Sequence, residues 1–165
     1  MKTNLSMNFQ VNKENKTITV DREFAAAQDK VWQAWTNPEL LDQWWAPKPW
    51  KANTVSMDFK EGGRWLYYMQ GPEGERHYSF ADYQSIEPGK RFSAKDGFSD
   101  EKGKINTEWP QSHWNTSFTS NGDSTTVNIV IAFEKLEDLE GTIKMGFKEG
   151  FTMAMENLDD IFANE

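Results

Sequence analysis

Three observations place this 165-residue chain in the α+β class, as a curved antiparallel sheet wrapped around a long C-terminal helix. An alternating segment, TITVDREF, is followed by two short helical patterns. The middle of the chain then holds about six runs rich in β-branched and aromatic residues, and from about residue 136 to 164 apolar residues recur at three- and four-residue steps. The gaps between most of the middle runs are too short for a parallel crossover, so neighbours pair antiparallel. A single long amphipathic helix needs a broad apolar surface, which a curved sheet supplies, and such a grip encloses a cavity.

In chain order, residues 1–16 are polar and read as a flexible N-terminal segment, with one domain spanning 17–165. TITVDREF places Ile18 and Val20 on one face of a first strand. Val31, Trp32 and Trp35 then recur at helical spacing, with Asp29 early, where an acid suits the helix dipole. Asn37-Pro38 stops that helix, and Pro38 opens a second one carrying Leu40, Leu41 and Trp44, which cannot run past APKPW. VSMDF, RWLYYM, HYSFADYQSI, KRFSA, HWNTSF and STTVNIVIAF follow as strands between turn signals such as Gly62-Gly63, Gly71-Pro72 and Asn121-Gly122. One connection, from about Asp96 to Gln111, is long and polar but carries Phe98 and Trp109, and long loops of this kind often have a function. In the terminal helix, Ile143, Phe147, Ala154, Leu158 and Ile161 form the apolar stripe. Gly141, Gly146 and Gly150 weaken its early turns and are read as permitting close packing or a fray at the start, in preference to the alternative that they leave space for something else. The acidic run EKLEDLE before it reads as a solvated loop and helix start.

Composition excludes several function classes. Apolar residues make up 37% and aromatics 14%, with 8 Trp and 11 Phe, enough large rings to fill a core or line a cavity. The net charge of −8 and pI near 4.9 argue against nucleic acid as a partner. There is no cysteine, so disulfides, thiol catalysis and thiolate metal sites are excluded. No stretch resembles an export signal or a membrane span, and with 27% charged residues and a mean hydropathy of −0.80 the expected location is the cytoplasm. No phosphate-binding glycine loop or Gly-x-Ser-x-Gly elbow is present. His77 and His113 are the two imidazoles, without metal-ligand spacing, so neither a metal nor a cofactor is expected.

The sequence resembles a known family. DREFAAAQDKVWQAWTNPELLDQWWAP is similar to the opening of the activator of heat-shock protein 90 ATPase homologue 1-like family, within the START-like (SRPBCC) superfamily. MDFKEGGRWLYYMQGPEGE matches its acid–x–x–x–Gly-Gly–x–Trp hairpin, SIEPGKRF its Ile-Glu-Pro turn, and EGFTMAMENLDDIF its closing helix. The similarity runs from about Thr17 to Phe162. It implies a START-like helix-grip fold with a deep, mostly apolar pocket between sheet and terminal helix. Superfamily members bind lipids, hormones or polyketides, some are cyclases, and others assist a chaperone. The family name implies a chaperone partner. In the eukaryotic activators, however, a separate preceding domain makes much of that contact, and this sequence holds only the grip domain, so strong stimulation of a chaperone is not expected.

The candidate site follows from strand and helix faces. Trp65, Tyr67 and Met69 share one face of a strand, Trp114 lies on a later strand, and Phe147 and Phe151 point from the helix; together they are the expected pocket lining. Trp45, in the run Trp44-Trp45-Ala46-Pro47, sits near the mouth if the family layout holds. His77 opens a strand; it is either a partly solvated strand end or a cavity-facing group able to bind or deprotonate a ligand. Asp58, Asp82, Asp96 and Asp100 are carboxylates by position only. The expected function is binding of a small hydrophobic ligand, and no residue is assigned to catalysis. The alternative is a cyclase- or hydrolase-like enzyme for an apolar substrate, which requires a His and a carboxylate to meet in the pocket.

Overall fold

The computed structural model of the chain describes residues 5–164. Eight strands form one sheet in the order β1-β2-β8-β7-β6-β5-β4-β3, every pair antiparallel. The strands are β1 (Met7–Asn12), β2 (Thr17–Phe24), β3 (Lys51–Met57), β4 (Arg64–Gln70), β5 (Arg76–Glu87), β6 (Arg91–Phe98), β7 (Ser112–Asn121) and β8 (Ser124–Phe133). Helices α1 (Gln28–Thr36) and α2 (Pro38–Trp44) follow β2, and α3 (Leu136–Lys144) and α4 (Phe147–Ala163) close the chain. The sheet curves around α4, which is the expected helix-grip architecture.

The alternation in β2 and β8 is complete. Ile18, Val20 and Phe24, with Val127, Ile129 and Ile131, all lie within 1% of full burial on the concave face. Against this wall packs α4 through Phe151, Ala154, Met155 and Leu158, residues at the three- and four-residue steps of one helix face. Arg22 and Asp159, both nearly buried, form an ion pair between β2 and α4 and hold the second half of that helix in place. Helix α1 buries Val31, Ala34 and Trp35. Asn37 ends it and then caps α2, its side chain accepting the Glu39 N–H at 2.9 Å, with Pro38 at the first helical position.

Two expectations change. The N-terminal segment read as flexible contains β1, which pairs along its length with β2 from Met7↔Arg22 to Asn12↔Thr17. Its edge position explains the polar sequence: only one side bonds to the sheet, and its inward residues Met7 and Phe9 are half-buried against the core. Residues 1–4 lie outside the described residues. The terminal helix is also two helices. Gly146 sits at φ +89°, a left-handed conformation that interrupts the α-helix and that glycine adopts without a Cβ penalty.

Candidate functional site

Between the concave sheet face and the α3–α4 junction lies a cavity of about 570 Å³. Strand pairing explains which side chains reach it. Tyr67↔Ser79 and Met69↔His77 are paired positions of β4 and β5, Trp114↔Ile131 of β7 and β8, and Asp96↔Ser112 of β6 and β7; all face inward at this end of the sheet. The helix side contributes Phe147 and Phe151 from α4, and Trp45 enters from the end of α2.

The rings form a connected wall. Trp45 lies 5.9 Å from Phe151 and 6.1 Å from Trp114, and Trp114 meets Phe147 and Phe151 edge-on at 5.9 Å each. Phe147 and Phe151, one turn apart, stack at 5.3 Å. These offset and edge-to-face contacts are the geometries that ring quadrupoles favour. The polar edges are directed: Trp45 Nε1 donates to Tyr67 Oη at 3.1 Å, and Trp114 Nε1 to Ser112 Oγ at 3.0 Å.

Of the eight residues expected to line a pocket, Trp45, Tyr67, Met69, His77, Trp114, Phe147 and Phe151 face this cavity. Trp65 does not. It is 4% exposed, stacks on Tyr67 with ring centres 4.0 Å apart, and donates Nε1–H to Thr54 Oγ1 at 3.0 Å, so it backs the Tyr67 ring from one layer behind. It shares the face of β4 with Tyr67 and Met69, but Trp45 packs against it at 5.6 Å, on the side toward α2. His77 stands exposed at the mouth, its ring 5.4 Å from that of Trp50. His113 pairs with Lys95 and does not face the cavity.

Among the four carboxylates singled out by position, only Asp96 reaches the cavity. Asp58 is exposed and paired with Lys60 at 3.4 Å, and Asp82 receives both Nε and Nη2 of Arg64. Asp100 accepts the N–H groups of Lys102 and Lys104 in its turn. Asp96 is different: its Oδ1 is closed to solvent and has no hydrogen-bond partner. Burial, reinforced by the nearby charge of Asp82, holds its carboxyl well above the ordinary carboxylate range. The Tyr67 phenol is likewise pushed up, first by burial and then by Asp96, against the opposing pull of its hydrogen bonds to Trp45 and Ser79. It stays a neutral phenol at physiological pH. Neither His77 nor any other residue hydrogen-bonds Asp96 Oδ1, and no group of three or more His, Asp or Glu able to hold a metal ion occurs among the described residues. No helix among them is long and apolar enough to cross a membrane.

Three contributions were less visible in the sequence. The long connection after β6 splits its work: Gly103 O accepts Arg64 Nη1–H at 2.6 Å beside Leu66, while Glu108, Trp109 and Pro110 return to the cavity mouth. Its signal was the pair Phe98 and Trp109, whose rings meet at 5.9 Å. Gly141, Gly146 and Gly150 all border the cavity, and a Cβ added at Gly141 or Gly146 would meet nothing within 4 Å. Of the two readings of these glycines, the geometry matches the one in which they leave space. The acidic run before the last helix, read as solvated, brings Glu137 and Asp138 to the same rim.

Solved structures share this architecture. A Mycobacterium smegmatis protein is 30% identical, with a TM-score of 0.87, covering 95% of this chain and 96% of its own. An Arthrobacter aurescens protein is 28% identical (TM-score 0.89; 96% and 92% covered), and one from Staphylococcus epidermidis 25% identical (0.83; 94% of each). A search of curated proteins returned no match. The sequence fits the family profile described as activator of Hsp90 ATPase homolog 1-like protein over residues 25–163, which take in β3 to β8 and all four helices, and the chain therefore belongs to that family.

Proposed function

We propose that the protein binds a small hydrophobic molecule in the cavity between the sheet and the α3–α4 junction. One observation carries this: about 570 Å³ of space is walled by Trp45, Trp114, Phe147 and Phe151 and is bordered on the helix side by three glycines that place no side chain into it. Apolar ligand surface removed from water there gains about 25 cal/mol per Å². An enzymatic reading requires a His and a carboxylate in contact; His77 stands exposed at the mouth and Asp96 Oδ1 has no hydrogen-bond partner, which favours binding.

The test is titration with Nile red, a neutral dye whose emission rises in apolar surroundings. The parent protein should bind it, and Trp114→Ala and Phe147→Ala should shift both affinity and emission maximum. Folded variants that bind the dye like the parent would refute the assignment. Native mass spectrometry of the purified protein would then look for a co-purified small molecule.

A further inference from the structure

The cavity has a charge pattern that its aromatic walls conceal. Apart from His77 and the Tyr67 phenol, its ionisable lining groups are all carboxyls: Asp96 on β6, Glu108 in the following connection, and Glu137 and Asp138 at the start of α3. Among the described residues, no lysine or arginine lines it. Glu137 has Lys135 at 3.9 Å, outside the lining. Asp96 adds an independent observation, because its Oδ1 is shut off from water and unpartnered. Native proteins satisfy nearly all such atoms, and a carboxyl left without a partner in a cavity wall marks a place where a ligand donor can meet it. The rings of Trp45, Tyr67 and Trp114 line the same cavity, and aromatic faces attract cations electrostatically.

We propose that the cavity accepts an apolar molecule bearing an amine, whose ammonium group pairs with Asp96 while its body lies among the rings of Trp45, Trp114 and Phe147. This rests on the cavity being the ligand site and adds the ligand's charge class to it. A donor with three N–H groups can pair with the cavity side of the Asp96 carboxyl and keep bonds for Tyr67 Oη or Ser79. The carboxyl rim draws the same cation inward.

The pairing is linked to protons. Burial and then Asp82 favour the protonated form of the Asp96 carboxyl. An ammonium ligand therefore displaces that proton to solvent, and its affinity rises with pH through the range where Asp96 ionises. The groups that share this field are Tyr67 on β4, Tyr83, Asp82 and His77 on β5, Glu108, and Glu137 and Asp138 on α3; Arg64 pairs with Asp82, and Lys95 and His113 lie on the other face of the sheet. The contribution of Asp96 is read as the difference between parent and Asp96→Asn. A neutral ligand accepting a hydrogen bond from protonated Asp96 has the opposite pH dependence.

The experiment is isothermal titration of tryptamine and its neutral near-isostere tryptophol from about pH 5 to about pH 8, alongside Nile red. In the parent, tryptamine should bind about tenfold tighter than tryptophol at the upper pH, with the ratio growing as pH rises. Asp96→Asn should bring the ratio to within about twofold, whereas the combined variant Glu108→Gln/Glu137→Gln/Asp138→Asn should keep most of it. Should Asp96→Asn not fold, the rim variant and the parent's pH profile decide. A parent ratio at or below one, a ratio that falls with pH, or a preference that survives Asp96→Asn overturns the amine assignment alone. If Nile red does not enter the cavity at all, the ligand site itself is refuted and this inference with it.

Discussion

Trp44 and Trp45 are neighbours in sequence, yet they belong to two different halves of the concave face. Trp44 is fully buried, donates Nε1–H to Ala34 O at 2.8 Å and packs on Trp35 at 4.6 Å. Around it Phe24, Trp32, Phe59, Phe92 and Phe118 interlock edge-to-face, plugged by α1. Trp45 is half-buried, bonds to Tyr67, and faces a hollow. Both ends of the sheet are equally aromatic. The difference lies in what is laid over them: at one end helices with Val31, Ala34 and Trp35, at the other a helix junction with Gly141, Gly146 and Gly150. Absence of side chains on the covering element, rather than any special wall, makes the cavity.

The comparison breaks most directly by truncating one ring in each half. Trp44→Ala removes a fully enclosed ring and should cost about 3–5 kcal/mol in urea-induced unfolding. Phe147→Ala opens a wall that already faces free volume, so only its partial burial is lost, about 1–2 kcal/mol. Equal losses would mean that the two ends are packed alike and that the hollow is not a feature of the native protein.

How legible these halves were differed for a physical reason. The strands and α1–α2 could be read because alternation and helical spacing are local: Ile18 and Val20, or Val31 and Trp35, declare their faces within a few residues. The ring-bearing wall was legible to the same extent, since Tyr67, Met69, Trp114, Phe147 and Phe151 each follow from strand or helix phase. Trp65 was not separable from Tyr67 by phase, because which inward residue meets a cavity and which meets α2 depends on position along the sheet. Asp96 could be named only as one carboxylate among four. What distinguishes it is register: pairing with Ala81 and Ser112 supplies no charge partner, whereas Asp82, one residue from Ala81, faces Arg64. β1 was hidden because an edge strand needs only one apolar side.

Asp96 gives the next largest effect, and its sign is opposite to that of a paired carboxylate. Its folded-state pKa is raised by burial and by Asp82, so the folded protein retains a proton that the unfolded chain releases. Its stabilising contribution is full below the ordinary carboxylate pKa and is lost as pH rises through the raised value, at up to about 1.4 kcal/mol per pH unit. Asp96→Asn removes this dependence. Thermal unfolding followed at a series of pH values should show the variant gaining on the parent as pH increases and more stable than it at neutrality. A difference that is flat or reversed would show that Asp96 is solvated or paired, and the hollow end would then hold no unsatisfied carboxyl.

The smallest stability effect is the most informative about how the cavity is built. Gly141 lies inside α3, with ordinary helical backbone and nothing within 4 Å of where its Cβ would be. Gly141→Leu replaces a poor helix residue with a good one and should raise stability by up to about 1 kcal/mol. Its side chain enters the open space beside the rings, so Nile red affinity should fall in the same variant. Gly146→Ala is the control: its Cβ also meets nothing, but φ of +89° makes any side chain there strained, and about 1–2 kcal/mol should be lost. Stability and ligand affinity therefore move in opposite directions at Gly141, a pattern that neither a filled core nor a fraying helix end produces. If Gly141→Leu leaves dye binding unchanged, the volume beside α3 is not the volume that the ligand uses, and the site lies wholly against Trp45 and Tyr67.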